Sequence, residues 1–454
     1  MSLLTRHRRL SLRDLALPPL EDLACAALFA FFAMQGSIPG IAPAQALEMT
    51  ATAPSGLTTV GGIAAQAVAN GLILFLLLRR PRLILDRIAA VPWLALLAAL
   101  AIASSLWSID PLLTLRRSIP FALAGLFAIY FAARFSPPRQ LAILRVAMLL
   151  LALGTVAVVL LAPSIGLDHS PGHTADWQGV FTQKNACGRM MVLASAVILF
   201  GGRFTLTRLA SLALFTVVLI GSGSRGAWII AAALLLLWLA VRVGRRSSPR
   251  VRTVLAVAAP AAGSGLAALT LFEATNLAAL FGRDATLSGR TAIWAQVGRA
   301  IALHPWLGYG YDAFWHGLQG PSLQISAAVH FVVVHAHNGF LEIALELGAA
   351  GLVLFLLTGA RAARQLWFLW IRGPVDPIAF PLAVLFLIVL CDLDENTLLL
   401  YNGLFWILTV AALVTLDSAF RDQHHTPAAD PHAILSLERR PPRRFAGAAA
   451  RENP

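Results

Sequence analysis

The sequence predicts an all-α, polytopic membrane protein with about twelve transmembrane helices. Of its 454 residues, 58% are hydrophobic and only 13% are charged, and the mean hydropathy is +0.75. Soluble globular domains carry about 25% charged residues, so this composition indicates a chain that lies largely in a bilayer. Apolar runs of the length needed to cross the hydrocarbon core, roughly 20 residues each, recur along almost the whole chain.

The predicted spans follow one another with short polar connections, and those near Asn185 and Ile378 are short enough to be tilted or broken. They cover Leu23–Ile41, Gly61–Leu78, Ile88–Leu106, Ser118–Ala133, Val146–Ile165, Asn185–Gly201, Leu209–Gly221, Ala227–Val241, Val254–Phe272, Gly339–Gly359, Ile378–Cys391 and Leu400–Leu416. They define a membrane domain over residues 23–416 with a long outer loop at 273–338. A basic cytoplasmic segment, 1–22, precedes it, and a Pro- and Arg-rich tail, 417–454, is expected to be disordered.

The distribution of basic residues predicts the orientation. Most of the 35 Lys and Arg residues fall in loops that are cytoplasmic if the N-terminus lies inside, as the positive-inside rule requires. Both termini are therefore expected in the cytoplasm. Topology and lipid contact explain the net charge of +13, and no nucleic-acid-binding module is recognisable.

The first span is expected to remain as an anchor, because no small-residue cleavage site follows it at the usual distance. The three cysteines, Cys25, Cys187 and Cys391, show no metal-ligand or redox spacing. They carry no functional signal.

Several basic residues depart from the positive-inside pattern and cluster at outer membrane boundaries, where we therefore expect the functional site. They are Arg116, Arg117, Lys184, Arg189, Arg225, Arg283, Arg290 and Arg299. Lys184 is the single lysine of the chain and lies just before a predicted helix, in a segment that runs from Trp177 to Asn185. It is either an interfacial cation beside an aromatic-belt tryptophan or a contact for an anion or sugar.

Arg225 and Arg290 are the strongest candidates for binding an anion. Arg225 follows a Gly-Ser-Gly-Ser turn that allows the backbone to approach a ligand closely. A guanidinium donates two parallel hydrogen bonds to a phosphate, and an idle charge at membrane depth would cost about 2.5 to 3.5 kcal/mol. Arg290 precedes an aromatic, Gly-rich stretch at 304–315 that suits either stacking on sugar rings or the membrane interface.

His337 and Asn338 stand at the outer entrance of the tenth predicted span. A histidine titrates at about pH 6.5 and can accept a proton from a sugar hydroxyl, although helix capping or packing would also explain this position. His335 and His337 are possible zinc ligands, but no further residue completes a recognisable spacing, so no metal is expected. Glu342 and Glu346 lie in the first two turns of the helix that follows, where carboxylates interact favourably with the helix dipole, and this interaction is enough to explain their position.

Three acidic residues, Asp392, Asp394 and Glu395, end the eleventh predicted span on the outer side. They either orient an acceptor or a histidine, or form a solvated loop.

Five motifs, spaced over most of residues 100–400, together have a recognisable order. They are Trp107-Ser-Ile-Asp-Pro111, Trp177 to Asn185 with Gly188, Ser224-Arg225-Gly226, Ser288-Gly-Arg290-Thr291 with Trp294, and His337-Asn338 followed by Gly348 and Gly351. With these motifs the chain resembles the O-antigen ligase and O-antigen polymerase family, and within it the exopolysaccharide polymerases.

The resemblance implies a membrane glycosyltransferase of the GT-C type that uses no nucleotide sugar, cofactor or metal. Its donor would be a glycan on undecaprenyl pyrophosphate, bound on the periplasmic side, and its other partners a glycan acceptor, the lipid bilayer and other polysaccharide assembly proteins. By motif, Arg225 and Arg290 would hold the pyrophosphate, and His337 would activate the acceptor hydroxyl for inverting attack. Secondary candidates for substrate binding are Lys184, Asn185, Trp177, Asn338 and Glu395.

Three alternatives remain at this level. A polymerase would join two lipid-linked repeats, whereas an O-antigen ligase would transfer the glycan to lipid A core; the segment from Trp177 to Asn185 favours the polymerase. A transporter of lipid-linked glycans, from a different class, would place ionisable groups at mid-membrane and show repeated halves. The predicted spans are nearly free of such groups at their centres, and no repeat is apparent. A non-catalytic assembly partner is a further alternative.

Overall fold

The computed structural model describes residues 19–36, 56–169, 175–258, 261–263, 265, 290–316, 319–330, 332–393 and 395–425. Within these ranges the chain is helical and contains no β-strand, which confirms the predicted all-α class. The extended contacts there are two isolated bridges, one joining Leu167 to Trp177 and the other His316 to Gln319.

The helices follow the apolar runs, and several begin with proline, whose missing N–H is not needed in the first turn. The helices of two turns or more are α1 (Leu20–Ala33), α2 (Gly56–Arg79), α3 (Pro81–Ile88), α4 (Pro92–Ala103), α5 (Pro111–Arg134), α6 (Pro137–Leu161), α7 (Lys184–Leu199), α8 (Leu206–Gly221), α9 (Arg225–Gly244), α10 (Arg290–Leu303), α11 (Gly320–Val329), α12 (Gly339–Arg372), α13 (Asp376–Asp392) and α14 (Leu404–His425).

The predicted number of twelve crossings is not confirmed. In the described part of the chain, six helices are long and apolar enough to span a membrane, or seven if α3 and the segment Pro92–Leu106, bent by 107°, form one span. Helices α1, α7 and α13 have only 14, 16 and 17 residues, short of the roughly 20 that a perpendicular crossing needs. The ninth predicted span, Val254–Phe272, lies largely outside the described residues.

Helices α7 and α14 form the centre of the bundle. Every residue of α7 from Ala186 to Leu199 is buried, because α6, α8, α9 and α13 all pack against it. In α14, 72% of an apolar stretch of 18 residues is buried, and the helix packs against α5, α12 and α13. Its helix continues to His425, so the part of the predicted disordered tail from Asp417 to His425 is instead helical, and Asp417 is buried. Residues 426–454 lie outside the described residues.

One end of the bundle is held by acid–base pairs between helix termini. Arg134 at the end of α5 pairs with Glu21 (3.0 Å), and Arg361 of α12 pairs with Asp417 of α14 (2.7 Å). The ends of α5, α12 and α14 and the starts of α6 and α13 surround one cavity there. We call this the basic end. Because the helices run antiparallel, the starts of α7, α9 and α12 and the end of α13 meet at the opposite end.

Helix α12 is interrupted at Gly348, whose φ of 61° and ψ of −160° are not helical. The segment His304–Gly310 fits into this break and satisfies the backbone groups that the break exposes. Ala349 N donates to Pro305 O (2.8 Å), and Tyr309 N donates to Leu345 O (3.0 Å). Such replacement hydrogen bonds are needed wherever a helix is broken at membrane depth.

The predicted outer loop is a folded unit in the part that the structure describes. Residues 273–289 lie outside that part, and the remainder contains α10 and α11. A separate apolar core joins these two helices to the start of α12, and its buried residues are Ile293, Val297, Tyr309, Phe314, Trp315, Ile325, Val333, Ala336 and Leu345. This unit therefore holds the start of α12 in place from the outside of the bundle.

Candidate functional site

Glu395 is the centre of a buried polar cluster at the end of the bundle opposite the basic end. Its carboxylate is only 3% exposed. Oε1 lies 3.6 Å from Arg189 Nη1 and 3.8 Å from Arg290 Nη2, while Oε2 lies 3.4 Å from His337 Nδ1 and 3.6 Å from His335 Nε2. One carboxylate therefore connects α7, α10 and the segment before α12.

The loop after α13 places Glu395 in this position. The Asp392 carboxylate accepts hydrogen bonds from Thr397 N (2.8 Å), Thr397 Oγ1 (3.0 Å) and Leu398 N (3.2 Å). Glu395 N donates to Cys391 O (2.9 Å), which folds the chain back over the helix end. Asp392 is buried and shapes the loop, so the solvated-loop alternative does not hold for Asp392 and Glu395. Asp394 lies outside the described residues.

His337 is held at the N-terminus of α12 in a left-handed conformation, with φ of 51°. The next residue, Asn338, is the N-cap, and its Oδ1 accepts hydrogen bonds from Phe340 N (3.1 Å) and Leu341 N (3.0 Å). A Cβ on Gly339 would lie 2.2 Å from Asp392 Oδ1, so only glycine allows α12 and α13 to approach this closely. The helix start and the Glu395 loop are thus packed together directly.

The charged side chains of the cluster are mostly buried, so water screens their interactions only weakly. Burial would raise the pKa of Glu395, but the charge of Arg189 and the nearby imidazoles of His337 and His335 hold it below its usual value. Burial lowers the pKa of His335 from 6.5 to about 4, although Glu395 opposes this shift. At neutral pH Glu395 is therefore ionised and His335 is neutral.

His335, His337 and Glu395 offer three ligand atoms within 4.8 Å of one another, a spacing that a metal ion could use. A metal ion on His335 Nε2 would require a change in the hydrogen bonds of this histidine. His335 Nδ1 accepts a hydrogen bond from His337 N (3.2 Å), so in the neutral imidazole the proton is on Nε2, the atom that faces Glu395. A protonated Nε2 has no lone pair for a metal, and two guanidiniums already face the other carboxylate oxygen.

Arg225 is the first residue of α9 and is exposed. Within the described residues, its guanidinium has no ion-pair partner. Ser224, just before it, donates a hydrogen bond to Asn185 Oδ1 (3.0 Å) at the start of α7. Arg189 lies one turn further along α7, a rise of about 6 Å, and reaches Glu395. Helix α7 therefore connects the Arg225 turn to the Glu395 cluster, although Arg225 does not contact the cluster.

Lys184 and Trp177 lie close to the turn between α8 and α9 that precedes Arg225. Lys184 Nζ pairs with Asp176 Oδ2 (2.6 Å), and Trp177 N donates to Gly221 O (2.8 Å). A Cβ on Gly221 would lie 2.6 Å from the Trp177 ring, so the indole lies directly on this glycine. Lys184, Asn185, Trp177 and Asn338 thus each have an intramolecular contact, and substrate binding by them stays a prediction.

Three residues of the candidate site are not predicted as site residues from the sequence. Arg189 was noticed only as an exception to the positive-inside rule, although its place one turn after Asn185 would have directed it to the same end of the bundle. His335 was considered only as a zinc ligand. Glu342 was assigned to the helix dipole, but it is buried, accepts a hydrogen bond from Ala336 N (2.8 Å) and is bonded by Trp315 Nε1. It therefore fixes the segment between the two histidines.

Similarity to known proteins shows the family of this chain. A family model described as O-antigen ligase matches residues 210–356. The chain is also 30% identical, over 304 residues, to exopolysaccharide production protein ExoQ of Rhizobium meliloti, which covers 63% of this chain and 68% of that protein. The chain belongs to the O-antigen ligase family. Over a shorter stretch of 70 residues, it is 39% identical to "Putative polysaccharide ligase" of Rickettsia prowazekii, covering 15% of this chain and 17% of that protein.

Membership of the O-antigen ligase family, together with the apolar helices, makes the protein a polysaccharide-processing membrane enzyme. The region matched by the family model contains Arg225, Arg290, His335 and His337. Glu395 and Arg189 lie outside it and join the site only through the fold.

Proposed function

We propose that the protein is a glycosyltransferase that polymerises glycans carried on undecaprenyl pyrophosphate, producing an exopolysaccharide. The observation that carries this proposal is the cluster in which Glu395 joins an imidazole, His337, to a guanidinium, Arg290, each within 4 Å of the same carboxylate. The similarity to an exopolysaccharide production protein supports the polymerase over other transferases.

His337 would be the general base. With its Nδ1–H directed to Glu395 Oε2, its Nε2 keeps a lone pair that can accept a proton from the acceptor hydroxyl. As that proton moves, the hydroxyl oxygen forms a bond to the anomeric carbon of the donor. Glu395 stabilises the imidazolium that results, as the carboxylate of a catalytic triad does. The 3.4 Å separation is long for a hydrogen bond and is expected to shorten once substrate is bound.

Arg225 and Arg290 would stabilise the leaving group. The bond between the anomeric carbon and the phosphate oxygen breaks as the new bond forms on the opposite face, so the configuration inverts and undecaprenyl pyrophosphate departs. Cations fixed in advance stabilise the charge that develops on the pyrophosphate, with no cofactor or metal required by this scheme. Arg225 suits this role, because its guanidinium is exposed and has no ion-pair partner among the residues that the structure describes.

The site would face the periplasm of an inner-membrane protein with both termini in the cytoplasm. The basic end, with its arginines at the ends of α5 and α12, carries the charge expected of a cytoplasmic side, and the Glu395 cluster lies at the other end. A periplasmic site is where a lipid-linked repeat and a growing chain would meet.

The proposal is tested with purified protein in lipid and a lipid-linked repeat as the only substrate. We expect chain growth with wild-type protein and a loss of about 10²-fold or more in turnover for Arg225→Ala, Arg290→Ala and His337→Ala. Arg299→Ala is the matched control, because Arg299 is an exposed arginine on the same helix as Arg290 and, in the described part of the chain, its guanidinium bonds Gln296 alone (3.4 Å). Wild-type turnover in all three site variants would refute the assignment.

The same assay separates the alternatives. A ligase forms product only when lipid A core is added as the acceptor. A transporter forms no glycosidic bond but moves the lipid-linked glycan across a vesicle membrane. Either outcome would contradict the proposed polymerase activity.

A further inference from the structure

We infer that His335 is a positioning residue that holds His337 in its reactive conformation. This inference rests on the proposed function. His335 Nδ1 accepts the backbone N–H of His337 (3.2 Å), and the two imidazole rings are in contact, with centroids 4.0 Å apart. His335 Nε2 lies 3.6 Å from the carboxylate oxygen of Glu395 that also faces His337.

The backbone of His337 needs such support. Its φ of 51° lies in the left-handed region, which residues other than glycine seldom adopt unless surrounding contacts enforce it. On the N-terminal side, the His335 imidazole bonds the His337 N–H. On the C-terminal side, Asn338 caps α12 and fixes the following residues. The conformation that directs His337 toward Glu395 is therefore held from both sides.

The hydrogen bonds also separate the roles of the two histidines. Because Nδ1 of His335 accepts a hydrogen bond, its proton is on Nε2 and is directed to Glu395 Oε2. With Nδ1 accepting a hydrogen bond and Nε2 carrying the proton, His335 is not the base. In the described part of the chain, His337 faces the carboxylate through Nδ1, so Nε2 is the atom that would accept the proton of the acceptor hydroxyl.

Two near-isosteric substitutions distinguish the contacts of His335. In His335→Asn, the amide oxygen takes the place of Nδ1 and still accepts the His337 N–H, but the contact with Glu395 is lost. In His335→Gln, the amide nitrogen takes the place of Nε2 and still reaches Glu395, but no acceptor remains for the backbone N–H. Comparison of the two variants therefore tests the backbone contact specifically.

We expect His335→Asn to keep turnover within about threefold of wild type, whereas His335→Gln lowers kcat by about 10²-fold with an unchanged KM for the lipid-linked repeat. Misplacement of the base affects the chemical step and leaves donor binding intact. An equal loss in Asn and Gln variants, or a loss expressed in KM alone, would overturn the inference. So would a zinc requirement revealed by chelation, because a metal on Nε2 displaces the proton that this arrangement requires.

His337→Ala separates this inference from the proposed function. If His337→Ala retains turnover, the proposed function fails. If His337→Ala is inactive and His335→Gln is fully active, only the positioning role fails. If His335→Gln does not insert into the membrane, His335→Asn still tests the inference. A folded His335→Asn protein that is as inactive as His337→Ala would contradict a role through the Nδ1 contact.

Discussion

Replacing Glu395 with glutamine should remove most of the activity while leaving the site almost unchanged in shape. The substitution keeps the size of the side chain and a carbonyl oxygen to face the histidines, but it removes the negative charge. That charge lies 3.4 Å from His337 Nδ1 and is 3% exposed. In the proposed reaction His337 becomes positively charged only as the acceptor hydroxyl is deprotonated, so the loss falls on the transition state.

The distance sets the magnitude. Two opposite unit charges 3.4 Å apart attract by about 5 kcal/mol at an effective dielectric constant of about 20. Arg189 and Arg290, at 3.6 and 3.8 Å from the other carboxylate oxygen, neutralise part of this field, so about 3 to 5 kcal/mol is expected. At about 1.4 kcal/mol per factor of ten, kcat should fall by about 10²- to 10⁴-fold. Replacing the aspartate of a serine-protease triad by asparagine has an effect at the upper end of this range, about 10⁴-fold.

The assay is single-turnover extension of a lipid-linked repeat, which reports the chemical step apart from product release. Asp376→Asn is the matched control, since Asp376 is a carboxylate of the basic end that pairs with Arg245 (2.9 Å) and is 78% exposed. It should leave turnover unchanged. Turnover of Glu395→Gln within about threefold of wild type, with His337→Ala inactive, would show that Glu395 does not act on the base.

Two further predictions concern stability. Gly348→Ala should lower the free energy of unfolding by about 2 to 5 kcal/mol, because the residue has a left-handed φ and a Cβ would lie 2.3 Å from the backbone of Trp306. Gly359 lies in the same helix with open space around it, so Gly359→Ala should be neutral or stabilise the protein by up to about 1 kcal/mol. Equal melting temperatures of the two variants would contradict the insertion of His304–Gly310 into the break of α12. The lowered pKa of His335, about 4 against 6.5, means that the unfolded chain takes up a proton below pH 6.5 that the folded protein does not. Stability should therefore fall by up to about 3 kcal/mol as the pH drops from 6.5 to about 4, and His335→Asn should lack this component in pH-dependent thermal unfolding.

The fold class and part of the site were accessible from the sequence because they depend on local properties. A membrane helix satisfies its own backbone hydrogen bonds, so a long apolar run is enough to predict it. Helices α5, α6, α9 and α12 confirm runs that were predicted in this way. The sequence also singles out Arg225 and Arg290, because basic residues are unusual on the side of the membrane that the predicted topology makes the outer one.

The crossing number was harder to predict, because hydropathy does not distinguish a helix that spans lipid from a short one surrounded by protein. An apolar run predicts a crossing at α7, but this helix has only 16 residues and is buried on every side from Ala186 to Leu199. The break of α12 at Gly348 was also hidden, because the segment that fills it, His304–Gly310, comes from a distant part of the sequence.

The sequence by itself determined that this chain forms apolar helices with a few polar residues at their ends. Only the tertiary structure decided which of these residues meet. Glu395 joins Arg189, Arg290 and His337 because α7, α10, α12 and α13 end at the same place, and because Asp392 folds the intervening loop over its helix. Contacts between helices far apart in the chain depend on packing and loop closure, and neither leaves a periodic pattern in the sequence.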